Sequence, residues 1–315
     1  MEKQTNNQIK DGFIFGGLLI AILFVTLYIP VIGYISLLFL PIPIAMYGYR
    51  YGWKKSTLLG LIVLFSISVF AFYFFVVSLP LAIVATLAGV FIGEALKSQR
   101  HPYDVWGRGT IGYAIGFLLL LLMIHLLSDQ SLVTEYRLII KESLDSTQIL
   151  LGQVGLDLSA DDLSAIERNM MMLLDLIPAV LIIISMTYSF VTQWLIHKAL
   201  NRFDQTKLAF PKFRSFQLPK VILWIYFFIV IFSWFNFSGL PMVGLVIFNA
   251  GLILGVLFSL QGLSLIVYFF GKSKQPKLLF ILLIIFILVF LPEGMYLLRI
   301  LGIIDVGFRL RKLIK

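Results

Sequence analysis

Apolar stretches of roughly 14 to 28 residues recur from Phe13 to Phe308, and most are long enough to carry a helix across a bilayer core. Short turns separate them, alternately basic and nearly uncharged, and one long acidic segment interrupts the series. A soluble domain cannot bury that much apolar surface, whereas a bilayer can. The pattern predicts an all-α polytopic transmembrane bundle of about ten spans, or about nine if the last stretch does not cross.

The first run, residues 13–29, follows Lys3 and Lys10 as a signal sequence would. It is too long for a signal core and no A-x-A cleavage pattern follows, so it reads as an uncleaved span. Spans are then expected at residues 31–49, interrupted by Pro41 and Pro43, at 57–77, at 80–96 and at 109–127. After the acidic segment come 176–195, 221–235, 242–270 and 278–291. Pro292, Glu293 and Gly294 carry a turn signal. The final stretch, 295–308, would reach only about 21 Å as a helix and contains Arg299, so a re-entrant or tilted terminal helix is the alternative to a tenth span.

Charge orients these spans. The 315-residue chain carries a formal net charge of +9, but its cations sit at alternate span ends in the positive-inside arrangement and do not gather into a nucleic-acid-binding patch. Both termini are expected in the cytoplasm and the chain in the cell membrane. Trp53, Trp106, Trp194 and Trp224 fall at basic ends and Trp234 at an opposite end, as in an interfacial aromatic belt. Residues 128–175 hold nine acids and belong outside. There Val133, Tyr136, Ile140 and Leu144 form one amphipathic stripe, and Leu163, Ile166, Met170 and Leu173 another. Ser159 and Asp162 have the spacing of a helix cap. The hairpin either lies on the outer surface or forms a lid over an outward-facing pocket. The expected segments are a cytoplasmic start (1–12), a five-span bundle (13–127), the acidic hairpin (128–175), the C-terminal spans (176–308) and a basic tail (309–315).

Composition agrees: 60% of residues are hydrophobic and 13% charged, against about 25% charged in ordinary globular chains, and the mean hydropathy is +0.99. Without cysteine, structural disulfides and thiolate metal sites are excluded.

Small residues recur at four-residue spacing: Ala85, Gly89 and Gly93; Gly112 and Gly116; Gly251 and Gly255. Such faces allow close helix packing within the chain or docking of a partner membrane protein. Polar groups inside apolar spans mark a cavity or interhelical hydrogen bonding, which makes Asn249, Gln261 and His125 the candidate ligand-cavity residues. Glu94 is expected to pair with Lys97 or Arg100, Arg299 with Glu293 or another acid, and Asp305 with Arg309 at i,i+4. The three histidines lack ligand spacing for a metal, and no nucleophile elbow, phosphate loop or dinucleotide fingerprint occurs. Neither catalysis nor a cofactor has support in the sequence.

The segments "LPIPIAMYGYRYGWKKS" (residues 40–56), "FPKFRSFQLPK" (210–220), "LFSLQGLSLIVYFF" (257–270) and "LGIIDVGFRLRK" (301–312) together resemble the YybS-like family of predicted bacterial membrane proteins. Residues 41–93 are also similar to the substrate-binding (S) components of energy-coupling-factor transporters. The resemblance implies an S-component-like bundle with additional C-terminal spans. It does not name a substrate, and Gly17-x-x-x-Ala21 stands where many S components carry an AxxxA docking pattern for their coupling subunit. Two functions are carried forward. One is a small-molecule binding or transport component, with a coupling ATPase module or another membrane protein as its candidate partner, whose acidic outer field would favour a cationic or neutral solute. The other is a membrane scaffold or regulator that works through protein contacts, with the basic loop at residues 198–220 as its partner or lipid surface.

Overall fold

The computed structural model describes residues 2–29, 35–70, 75–127, 131–153, 159–235, 237, 239–272 and 277–313. All regular structure among them is helical, and the chain divides into two compact units, Met1–Phe210 and Pro211–Lys315.

The first unit contains α1 (Glu2–Tyr28), α2 (Pro41–Tyr51), α3 (Trp53–Phe70), α4 (Phe75–Lys97), α5 (Pro102–Leu127), α6 (Leu132–Gln153), α7 (Ala160–Met172) and α8 (Ile177–Phe203). Helix α4 is its centre, covered by α2, α3 and α5, with α8 packed on α5. Gly89 and Gly93 face the backbone of α2 so closely that an added Cβ would lie 2.8 Å from Pro41 O and 2.6 Å from Ala45 O. Gly112 and Gly116 lie against Ala88 Cα and Val84 Cα of α4 at 3.0 and 2.9 Å by the same measure. Ala85 is buried on the same helix. With no hydrophobic gain available from lipid, backbone contact of this kind is what dispersion can exploit.

Of the apolar stretch at 31–49, residues 31–34 lie outside the described residues, and the rest is not one continuous helix. Helix α2 has 11 residues and begins at Pro41, where a fixed φ and a missing N–H suit a first turn. It ends at Gly52, whose φ of 90° suits glycine. At about 16 Å it is half a crossing, preceded by a turn at residues 37–40. Glu94 does not form the expected ion pair with Lys97 or Arg100. Its carboxylate accepts from Trp53 N at 3.0 Å and Ser98 Oγ at 3.2 Å, because the unpaired N–H groups opening α3 are within reach and favour an anion.

The acidic hairpin is α6 and α7. Its stripes meet: Ile140 is buried, and Tyr136 Oη donates to Met170 O at 3.1 Å. Ser159 and Asp162 form a reciprocal capping box. A 3-10 turn, Leu173–Leu176, joins α7 to α8, which starts with Pro178 in its first turn. The unit boundary lies after Phe210 and not at the edges of the hairpin, because a polar face of α8 holds it to the preceding helices. Ser189 Oγ donates to Trp106 O at 2.8 Å, Thr192 Oγ1 to Leu38 O at 3.0 Å and Gln193 Nε2 to Pro102 O at 3.0 Å.

The second unit contains α9 (Lys220–Phe232), α10 (Pro241–Lys272), α11 (Lys277–Val289), α12 (Leu291–Phe308) and the single turn α13 (Leu310–Leu313). Among the described residues, five helices are long and apolar enough to cross a membrane, or six if the bent pair α11–α12 counts as one. Sequence periodicity alone marks about ten apolar stretches; several of these are helices shorter than a bilayer core.

Candidate functional site

The most unusual local geometry is the junction of α11 and α12, which meet at a bend of 118°. The helix ends at Phe290 (φ −106°, ψ 61°), and Pro292 opens α12 within its first turn. The break therefore precedes the expected Pro292-Glu293-Gly294 turn, because those residues are already helical. Gly294 lets the two helices cross: an added Cβ would lie 2.9 Å from Ile287 Cα. Beyond the bend, α12 runs parallel to α10 in a tight seam. Ser259 Oγ bonds Gly255 O at 2.9 Å and Met295 O at 3.0 Å. At Gly262 and Gly302 the backbones touch, with Leu298 O and Phe258 O occupying the positions where side chains would begin.

Arg299 projects from α12 onto α10. An added Cβ on Gly255 would lie 2.7 Å from its Cζ and 2.9 Å from its Nε, so the glycine leaves room for a guanidinium and not for a helix backbone. Nε is out of solvent with no hydrogen-bond partner among the described residues. The expected pairing with Glu293 is absent, and Glu293 is exposed. Gly251, one turn away, makes only an ordinary 3.6 Å contact with Ile229.

Farther along the seam lies a buried ionic network. Asp305 Oδ2 accepts from Gln261 Nε2 at 2.5 Å and from Arg311 Nε at 2.9 Å. Gln261 Oε1 accepts from Leu218 N at 2.9 Å. Arg311 also donates to Arg214 O at 2.6 Å and Ser264 Oγ at 3.1 Å. Asp305 therefore pairs with Arg311 and not with Arg309. The helix ends at Phe308, Arg309 turns into the left-handed region (φ 53°), and the next residues fold back over α10.

Of the three cavity candidates, Gln261 is occupied by this network. Asn249 is buried and donates to Leu245 O of its own helix at 2.9 Å. His125 belongs to the first unit and is exposed near the end of α5, whereas Asn249 and Gln261 belong to the second. An open groove of about 550 Å³ lies on the acidic hairpin, lined by Arg137, Ser164, Glu167, Arg168 and Asp175 among others.

A second charged node lies at the basic end of the first unit. Arg50 donates to Asp204 through Nε at 3.2 Å and Nη2 at 2.5 Å, and to Asp11 through Nη1 at 2.6 Å. These contacts join α1, α2 and the end of α8 and hold the guanidinium pKa above its usual value, Asp204 most of all. Tyr51 Oη donates to Asp11 at 2.9 Å. Burial, then that bond, pushes its phenol up to about 12. Sequence spacing could not reveal this node, since Arg50 and Asp204 are 154 positions apart.

The family of predicted membrane proteins DUF2232 matches the chain over residues 17–306. The chain belongs to this family. The DUF2232 match begins partway along α1, ends two residues short of the end of α12, and includes the bend and Arg299. A relative from Bacillus subtilis (strain 168), described as the uncharacterized protein YybS, is 28% identical over 325 residues, covering 99% of this chain and all of the relative. No solved structure matches this DUF2232 protein. Three of the four segments that resemble the YybS-like family, 210–220, 257–270 and 301–312, converge on the Asp305 network, and the fourth contains Arg50.

Proposed function

We propose that this integral membrane protein is a small-molecule binding or transport component of the cell membrane. The reading is supported by the interrupted apolar segments, one in each unit: the half-length α2 behind the turn at 37–40, and the 118° bend between α11 and α12. Water cannot satisfy backbone groups in the bilayer core, so irregular backbone at that depth persists where it is buried in protein or lines a wet cavity. Broken helices of this kind surround the solute sites of secondary transporters. The likeness of residues 41–93 to S components points the same way.

The competing reading is a scaffold or regulator that recruits partners through its basic loop. In its favour, Arg202, Lys207, Lys212, Arg214 and Lys220 are all exposed. The discriminating experiment is gentle purification from the native membrane, followed by mass spectrometry of both small molecules and proteins that accompany the chain. A stoichiometric solute released on denaturation is the expected result, and an accompanying ATPase would identify the energy source. Envelope proteins without any solute would overturn the binding reading in favour of the scaffold.

A further inference from the structure

Arg299 occupies the middle of α12, with eight residues of that helix before it and nine after. Its guanidinium rests in the notch left by Gly255, which has fourteen residues of α10 before it and seventeen after. The charge therefore lies roughly 12 to 14 Å from the ends of α12 and its notch roughly 21 to 26 Å from the ends of α10. No acid compensates it among the described residues. Asp305 Oδ2 is taken by Gln261 and Arg311, its Oδ1 is buried without forming a bond to Arg299, and Glu293 is exposed without an ion pair to Arg299. The Nε donor is buried and unused.

An unpaired charge at this depth is costly, and ionisable groups retained there generally face a partner or a pathway. A guanidinium is always charged, presents its donors in a planar fork, and matches a carboxylate or phosphate in two parallel bonds. We propose that Arg299, seated against Gly255 about two helical turns past the α11–α12 bend, is the binding group for an oxyanion, a carboxylate or a phosphate. The inference rests on the binding reading and adds the ligand's charge to it. That charge is opposite to what the acidic hairpin suggests. The exposed hairpin carboxylates act over a screening length of only about 8 Å, whereas Arg299 Nε is shut off from solvent, where screening is weaker.

The test uses the full chain in phosphatidylcholine nanodiscs. Its thermal unfolding midpoint is followed while benzoate, inorganic phosphate or neutral benzamide is titrated in, and again in discs with one quarter phosphatidylglycerol. A saturable rise with benzoate or phosphate, absent with benzamide and lost in Arg299→Gln, is the expected result and assigns the oxyanion to a solute. A rise with phosphatidylglycerol that is lost in Arg299→Gln assigns it to a lipid headgroup. Should Arg299→Gln fail to fold, Gly255→Ala keeps the charge and displaces only the flexible end of the side chain, and it should weaken the same responses. Equal responses in wild type and both variants, or no response to any of the three anions, overturn the assignment. A neutral or cationic solute that co-purifies equally with wild type and Arg299→Gln would remove the oxyanion while leaving the binding reading intact.

Discussion

Asp305 and Arg311 are among the most deeply buried charges in the chain, with side chains 1% and 6% exposed. Removing one partner of such a pair leaves the other desolvated and unpaired, so Asp305→Asn should cost about 3–5 kcal/mol. The double change Asp305→Leu with Arg311→Met should cost less than Asp305→Asn alone, as read by chemical unfolding in detergent. Arg50 is less enclosed. Arg50→Gln, which leaves Asp11 and Asp204 facing each other, should cost about 1–3 kcal/mol. Asp162 gives a pH dependence. Its carboxyl is held below the ordinary range by the Ser159 hydroxyl and then the Ser159 backbone N–H. A depressed folded pKa means the capping contribution is complete above the unfolded value, near 3.8, and disappears as pH falls through the folded one. Amide protection at the start of α7, corrected for intrinsic exchange, should therefore drop below about pH 4, and Ser159→Ala should show the same loss at neutral pH. These residues stand out in the sequence as charges or caps. Ser159 with Asp162 could be read there; Glu94 and Asp305, expected to pair within four positions, find other partners, and Arg50 with Asp204 could not be read because only the tertiary fold brings them together.

At the level of the helices, glycine spacing and glycine contact part company. Gly251 and Gly255 have the same four-residue spacing as Gly89 and Gly93, yet Gly251 touches no backbone and Gly255 receives a side chain. The seam of α10 with α12 closes instead at Gly262 and Gly302, which lie on different helices and form no repeat within either. Gly302→Ala should force the helices apart and cost about 1–3 kcal/mol. Gly251→Ala has room for its methyl and should be neutral, or stabilising by up to about 1 kcal/mol through helix propensity. Thermal unfolding of the two variants side by side separates these outcomes. Long apolar helices such as α5 and α10 were legible because periodicity and length agree. The half-helix α2 was not, since apolar character alone does not reveal that a proline starts a helix midway along a stretch.

For the molecule as a whole, the absence of cysteine makes orientation directly measurable, because any single introduced cysteine labels without background. Ser146→Cys in the acidic hairpin should react with an impermeant maleimide on intact cells, and Lys312→Cys should react only after the membrane is opened. The reverse pattern, or labelling of both from one side, would contradict the orientation drawn from the basic turns. The bent pair also has a mechanical consequence. With backbone pressed against backbone at Gly262 and Gly302, α12 cannot slide along α10 without separating from it. Phe290, where the chain leaves helical geometry, is then the natural pivot for α11, limited by the close Gly294–Ile287 contact beside it. At 13 residues α11 is about 20 Å long, so a swing of about 10° at Phe290 would carry its far end some 3 Å.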